Sequence, residues 1–174
     1  MALPGPSRGS YWWDIPTRTM NKIFLTLCLA LPVLHANAKD KPKFTKDVVR
    51  RAITEFRQDP TSDAGHAARY VVVNYSHDSP DVVIKLTPQN YPISDIKPAG
   101  EDEKSTLLAA FIVGNLDSQL SHGTKGEDGY AGDLQLINTY RQLQQKNRAL
   151  KIAAIEKMAA MEERGELKRY LSSK

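Results

Sequence analysis

The sequence predicts an all-α fold, a compact bundle of helical hairpins, and two observations support this prediction. Apolar residues recur at helical spacing in five segments between Lys46 and Leu171. Short polar stretches that contain Gly, Asn, Asp or Pro separate these segments. Helices joined by short polar loops pack as antiparallel neighbours. We therefore expect well over half of residues 46–174 to be helical, above the roughly one third that is average for globular proteins.

The first helix is predicted from about Lys46 to Gln58, with Thr45 as its N-cap. Its apolar residues share one face, and charged residues take the other. The pair Asp59-Pro60 ends the helix because a residue that precedes proline disfavours the helical conformation. The apolar face comprises Val48, Val49, Ala52, Ile53 and Phe56.

The second helix, which starts at Ser62 or Asp63, has an alternative. Residues 70–75 and 82–87 are rich in valine and other strand-forming residues, so a short β-hairpin over 70–87 also fits the sequence. We favour the helix because its apolar stripe is complete and residues 64–69 have no strand character. Residues 82–87 are then a short extended piece that ends at Pro88. The stripe comprises Ala64, Ala67, Ala68, Val71, Val72 and Tyr75.

A long connection over 88–100 leads to the third helix. The connection contains three prolines, and Tyr91, Ile93 and Ile96 are expected to hold it against the core. The helix begins with acidic residues 101–103, which suit a helix N-terminus, and residues 107–113 are apolar on all sides. We therefore expect it to be central. Gly114 costs about 1 kcal/mol inside a helix, and close packing of a neighbouring helix would offset this cost.

The last helices follow a flexible loop over 121–129. The fourth helix is predicted from about Tyr130 to Gln145, with Asp128 as its N-cap, and it is apolar on two faces. The fifth spans about 149–164, and Gly165 suits the position after its end. A final turn over 166–171 folds back on the body. Gly and Ala at the hairpin cores make this arrangement resemble the packing of tetratricopeptide repeats, although no repeat of about 34 residues recurs.

The N-terminal region predicts export. Residues 20–38 contain Lys22, an apolar run of twelve residues and a final Ala36-Asn37-Ala38, the pattern that signal peptidase cleaves. The run is shorter than the about 20 residues of a permanent membrane anchor. We predict cleavage between Ala38 and Lys39, a secreted or periplasmic product and no transmembrane anchor after cleavage. Residues 1–19 are interpreted as a non-native or disordered extension, with Met20 as the true start.

Composition limits what the mature chain can do. The region 1–38 contains both tryptophans and the single cysteine, so disulfides and thiolate chemistry are excluded after cleavage. It also holds three basic residues and one acidic residue, so the 24 basic and 20 acidic residues of the whole chain leave 21 and 19. This balance does not predict a nucleic-acid partner. Residues 39–45 form a short basic tether before a single helical domain over 46–174.

A search for catalytic or metal-binding patterns finds few candidates. His66 and His77 are eleven residues apart, too far for one ion, and are interpreted as surface residues, so no metal or cofactor is predicted. The loop over 121–129 matches neither a phosphate-binding nor a calcium-binding pattern. Its residues His122, Glu127 and Asp128 are the remaining candidates for a site, placed where this loop meets the connection over 88–100.

These observations predict an exported, non-enzymatic binding module of the cell envelope or extracellular space, whose partner is another protein or an envelope component. The alternative is a small exported hydrolase that uses His122, Glu127 and Asp128 at the junction of the two loops. A third interpretation is a binder of polyanions or membrane surfaces that acts through Lys39–Lys46.

Overall fold

The fold was determined as a computed structural model, which describes residues 43–88, 90–91 and 99–173. This part of the chain is mostly helical and contains no strand, so the predicted all-α class is confirmed. The predicted signal peptide, the cleavage-site residues Ala36, Ala38 and Lys39, the extension over 1–19 and most of the basic tether lie outside these residues. The helices are α1 (Lys46–Gln58), α2 (Asp63–Asp78), α3 (Glu101–His122), α4 (Gly129–Lys146), α5 (Ala153–Glu163) and α6 (Leu167–Ser172).

Helix α1 has the predicted bounds and caps. The side chain of Thr45 accepts a hydrogen bond from the backbone N–H of Val48, and Asp59 caps the other end. The buried residues of α1 fall within the predicted apolar face. They are Val49, Ala52, Ile53 and Phe56.

Helix α2 continues to Asp78, so the alternative of a β-hairpin over 70–87 is wrong. The predicted apolar stripe is only partly correct, because Ala64 and Ala67 are exposed. The reason is Gly65, which lies so close to the backbone of Asp59 and Pro60 that a Cβ atom would collide with both. This contact turns another face of α2 inward. Its buried residues are Gly65, Ala68, Val72 and Tyr75.

The extended piece that follows α2 pairs with a side chain instead of a strand. The backbone N–H of Val83 donates to Oε1 of Gln119 at 2.9 Å, and Nε2 of Gln119 donates to the carbonyl of Val83 at 2.8 Å. The amide of one glutamine on α3 thus replaces a neighbouring strand at this residue. Buried Val82 holds the same piece against the core. Strand-like sequence therefore becomes extended backbone without a sheet.

Helix α3 lies between two hydrophobic clusters, as its apolar sequence predicts. One cluster joins it to α1 and α2, and the other joins it to α4, α5 and α6. Leu107 and Phe111 pack in the second cluster, while Val113 and Leu116 pack in the first. The buried residues of α3 therefore contribute to both hydrophobic clusters.

Two glycines allow α3 and α4 to pack closely. A Cβ atom on Gly114 would collide with the backbone carbonyl of Ala131, and one on Gly132 would lie 2.7 Å from the ring of Phe111. The predicted close approach of a neighbouring helix at Gly114 is confirmed. The contacts at these positions offset the helix-propensity cost of glycine.

Helix ends in the second half differ from prediction at two points. Helix α3 extends through His122, so Ser121 and His122 are helical and not part of the loop. Helix α5 begins at Ala153, four residues later than predicted, because Tyr140 binds the chain ahead of it. The hydroxyl of Tyr140 accepts from the N–H of Ile152 at 2.9 Å. The predicted cap at Gly165 is confirmed, with φ of 69°.

Candidate binding cleft at the amino end of α4

An open cleft of about 460 Å³ lies where the turn after residue 87, the start of α4 and helix α6 meet. The cleft combines carboxylates, an ammonium group, an amide, a phenol and an aliphatic side chain. This is the junction of the two loops at which the sequence places its candidate site. The lining residues are Thr87, Asn90, Glu127, Asp128, Gly129, Tyr130, Lys168, Leu171 and Ser172.

Asn90 builds one wall of the cleft. Its side-chain oxygen accepts from the N–H of Thr87 at 2.7 Å, which closes a tight turn. Its Nδ2 donates to the carbonyl of Lys85 at 3.0 Å and to Oε1 of Glu127 at 2.9 Å. Asn90 is buried, and its side-chain amide makes its hydrogen bonds within the protein. It therefore holds Glu127 in a fixed position at the edge of the cleft.

Asp128 is the N-cap of α4, as predicted. Its carboxylate accepts from the N–H of Ala131 at 3.0 Å and from the hydroxyl of Ser118 at 2.5 Å. Burial acts to raise the pKa of Asp128, but the hydrogen bonds from Ser118 and Ala131 and the neighbouring His122 and Lys168 outweigh it and lower the pKa below its usual value. Asp128 is therefore ionised and has a structural role at this helix start.

Ser118, His122 and Asp128 lie together but are not arranged as a catalytic triad. Nδ1 of His122 lies 2.8 Å from the backbone carbonyl of Ser118, which can only accept a hydrogen bond. The proton therefore resides on Nδ1, and that nitrogen cannot take a proton from the Ser118 hydroxyl. The hydroxyl proton points to Asp128 instead. These three groups join the end of α3 to the start of α4.

Asp133 is a completely buried residue on α4. Neither of its carboxyl oxygens has a hydrogen-bond partner within the described part of the chain. Burial, followed by the nearby charge of Glu127, raises the pKa of Asp133 from 3.8 to about 8. The carboxyl group is therefore protonated at neutral pH, because an ionised and unpaired carboxylate in this environment is strongly disfavoured.

Tyr130 and Lys168 also line the cleft. The hydroxyl of Tyr130 donates to Oε1 of Glu162 on α5 at 3.0 Å, and this hydrogen bond raises the pKa of Tyr130. The ammonium of Lys168 lies 5.8 Å from the centre of the Tyr130 ring. Helix α6 thus brings one positive group to the cleft.

The structure brings Glu127 and Asp128 into the cleft and leaves His122 outside its lining, at the exposed end of α3. Sequence reasoning did not identify Asn90 or Lys168 as site residues, and it weighed Asp133 only as a calcium ligand beside Glu127 and Asp128, a pattern that does not match. Asp133 had a usable signal, since it shares the inward face of α4 with Leu136, Ile137 and Tyr140. A carboxyl group among core positions of a helix is uncommon unless it is paired or functional.

His66 and His77 are surface residues, as predicted. Nε2 of His66 lies 3.7 Å from Asp102, and His77 contacts Asp78. Among the described residues, no group of three or more histidine, cysteine, aspartate or glutamate side chains is placed to hold a metal ion. In the same residues, no helix is long and apolar enough to cross a membrane.

Comparison with known proteins gives no match: no family model, no curated protein and no solved structure is significantly similar to this chain.

Proposed function

We propose that this chain is an exported, non-enzymatic binding module whose cleft at the amino end of α4 receives part of another protein or of an envelope component. The observation that carries the proposal is the composition of the cleft. Its lining includes an anchored carboxylate, Glu127, an ammonium group, Lys168, and the apolar surfaces of Tyr130 and Leu171. Sites that bind polar ligands combine apolar area with a few fixed hydrogen-bonding groups in this way.

The hydrogen bonds of the cleft favour binding over catalysis. Asp128 caps a helix and accepts from Ser118, and the proton of His122 faces a backbone carbonyl. General acid–base catalysis needs a group within reach of a proton that it can give or take. Asn90 and Asp128 instead hold the walls of the cleft in place, which reduces the entropic cost of receiving a ligand.

The packing of successive hairpins supports the same proposal. Helices α1 and α2 follow one another across a short loop and share a hydrophobic core. Helices α3 and α4 also follow one another across a short loop. We propose that they stack in the manner of tetratricopeptide repeats, where paired helices present a surface to a partner polypeptide.

The hydrolase that uses His122, Glu127 and Asp128 is the second candidate, because Glu127 and Asp128 line the cleft. A screen of hydrolase substrates with the purified protein separates the two functions. The binding module predicts no turnover. A substrate that is turned over by the full chain but not by Glu127→Gln, with Glu55→Gln at an exposed position of α1 as the matched control, would replace the binding proposal with the hydrolase.

Export is tested by the intact mass of the protein in culture fluid and cell fractions after expression of the whole reading frame. The proposal predicts a species that begins at Lys39 and lies outside the cytoplasm. A cytoplasmic species that still begins at Met1 would contradict export.

Binding is tested by site-specific cross-linking in the same cells. A photoreactive benzoylphenylalanine at Ser172, an exposed residue of the cleft lining, is expected to give an adduct of one defined mass. The same group at exposed Arg148, beyond the other end of α4, is the control and should give none. The adduct should weaken at least tenfold when Lys168→Glu reverses the charge of this lining residue. Equal adducts from both positions, or none from Ser172, would contradict a partner in the cleft.

A further inference from the structure

We propose that this chain forms a two-fold symmetric dimer through the open groove between α1 and α2, and that the same face of a second copy covers this groove. The inference goes beyond the proposed function, because the groove shares no lining residue with the cleft at the start of α4. The groove has a volume of about 240 Å³. Its apolar lining residues are Val48, Ala52, Ala67, Ala68 and Val71.

The apolar lining of the groove is only partly covered by the fold. Val48 and Val71 are half-buried and Ala67 is exposed, whereas the other two alanines of the lining are buried. On each helix the lining residues are three or four positions apart, which is the spacing of a helix face that packs against another helix. The hairpin of α1 and α2 therefore has a second face suited to helix packing, besides the face that it buries against α3.

The unpaired charges of α1 indicate what covers this face. Four of the six charged residues of α1 form ion pairs. The remaining two, Arg51 and Glu55, are exposed and both line the groove. Their side chains make no hydrogen bond or ion pair with any described residue. The ion pairs of the other four are Lys46–Asp81, Asp47–Arg50 and Arg57–Asp117.

Arg51 and Glu55 are poorly placed to neutralise one another within one chain. They lie one helical turn apart, but a basic residue that precedes an acidic one is the less favourable order for a pair along a helix. The groove therefore presents one positive and one negative group, and a partner that carries a single sign of charge would satisfy only one of them.

A second copy supplies both matching charges in the required order. In a two-fold dimer, each contact between residues i and j is accompanied by the reverse contact. When two α1 helices lie antiparallel, the order of their residues is reversed, so Arg51 of one copy lies opposite Glu55 of the other. The second ion pair forms in the same way. This face is thus complementary to itself.

The lengths of the two helices limit the strength of this dimer. The two hairpins together form a four-helix arrangement in which the half-buried Val48 and Val71 become covered, and the small Ala67 allows the helices to approach closely. Helices of 13 and 16 residues give a face only about 20 Å long. Such a face is small beside a standard protein interface, so we expect a weak dimer that depends on concentration.

The test is sedimentation equilibrium of the full chain at constant ionic strength, over protein concentrations from about 1 μM to about 1 mM. We expect the average mass to rise from that of the monomer toward that of the dimer. A mass that stays monomeric over the whole range would overturn the proposal and leave the groove to another molecule or to another part of this chain. A mass that rises beyond the dimer would overturn the closed two-fold arrangement.

Charge reversal identifies the surface. Arg51→Glu places like charges opposite one another and should weaken dimerisation by at least about tenfold. The double variant Arg51→Glu, Glu55→Arg exchanges the two charges and should restore dimerisation to within about threefold of the parent, because the pairs between copies form again.

The matched control is Lys157→Glu, which makes the same change of charge at an exposed position of α5 and should leave dimerisation unchanged. Both substituted positions of the groove are exposed, so the variants are expected to fold. Dimerisation that Arg51→Glu does not weaken, or that the exchange of charges does not restore, would overturn the pairing of Arg51 with Glu55 between copies.

Discussion

Gln119 and Asp133 are both buried polar residues on the paired helices α3 and α4, but their hydrogen bonding differs completely. The amide of Gln119 binds both backbone groups of Val83 and donates weakly to Asn115. The carboxyl group of Asp133 binds no described group. A buried polar group stabilises a fold only when its partners are present. Gln119 therefore has a structural role, and Asp133 is the group whose cost needs another explanation.

The same contrast separates the set of Ser118, His122 and Asp128 from Asp133. Ser118, His122 and Asp128 are a Ser–His–Asp set, yet their hydrogen bonds hold a helix junction together. Asp133 belongs to no recognisable motif, yet burial raises its pKa from 3.8 to about 8. Perturbed and unpartnered groups are better indicators of a functional site than residue types in proximity.

The largest effect is expected from Gly114→Ala, because Gly114 lies where α3 and α4, the helices that carry Gln119 and Asp133, pack closely against one another. The added methyl group would collide with the carbonyl of Ala131 and force the helices apart. We expect the free energy of unfolding to fall by about 3 kcal/mol in urea denaturation. Gly126→Ala is the control, since no atom lies within 4 Å of its added methyl group. Equal stability of the two variants would show that α3 and α4 do not pack this closely.

Gln119→Ala removes the partner of the extended piece. The N–H and carbonyl of Val83 then lose their hydrogen bonds, and we expect a loss of about 2 kcal/mol in the free energy of unfolding. Gln145→Ala changes an exposed glutamine on α4 and should alter stability by less than about 0.5 kcal/mol. Hydrogen exchange at the Val83 amide provides a second measurement. Unchanged protection of the Val83 amide against hydrogen exchange in Gln119→Ala would contradict the structural role of Gln119.

Asp133→Asn is expected to raise the free energy of unfolding, whereas Gln119→Ala lowers it. The folded-state pKa of Asp133 is about 8 against an ordinary 3.8, so its contribution to stability is complete below pH 4 and is lost as the pH rises to about 8. The asparagine side chain does not ionise, so the variant does not lose this stability as the pH rises. We expect Asp133→Asn to be more stable than the parent by about 2 kcal/mol at pH 8.

The pH dependence supplies the control for this variant. The advantage of Asp133→Asn should shrink toward pH 4, where the parent carboxyl group is protonated in the folded and unfolded states. Urea denaturation of both proteins at pH 4, 6 and 8 measures this difference in the free energy of unfolding. An advantage that is the same at all three values would mean that Asp133 is not buried in its neutral form.

The smallest effects are expected at the helix junction. Asp128→Ala removes the N-cap of α4 and the acceptor of Ser118, and should lower the free energy of unfolding by about 1 kcal/mol. His122→Ala removes an exposed ring and should change it by less than about 0.5 kcal/mol. Thermal denaturation of both variants gives the comparison. A larger loss in His122→Ala than in Asp128→Ala would contradict the hydrogen bonds described at this junction.

Local rules predicted much of the helical framework. Thr45 and Asp128 were identified as N-caps and Gly165 as a terminator, because capping depends on residues within a few positions along the chain. The strand-like valines of α2 were also interpreted correctly as helix. The inward face of α2 was not, because Gly65 meets the backbone of a preceding turn, a contact that periodicity does not encode.

The sequence named only part of the cleft lining. The structure brings Glu127 and Asp128, from the predicted junction of the two loops, into this lining. Lys168 and Asn90 were missed because each lies more than thirty residues from Glu127 along the chain. Their role depends on where α6 and the turn at Asn90 are placed, and no local pattern carries that information.

The amino-acid sequence determined the helices, most of their ends and the central place of α3, since periodicity, caps and an all-round apolar surface are local properties. The tertiary structure decided three features that involve distant residues. They are the pairing of Val83 with Gln119, the capture of the chain before α5 by Tyr140, and the burial of Asp133 without a hydrogen-bond partner among the described residues. Each depends on which polar group finds a partner after the helices have packed, and hydrogen bonding of buried groups is settled only at that stage.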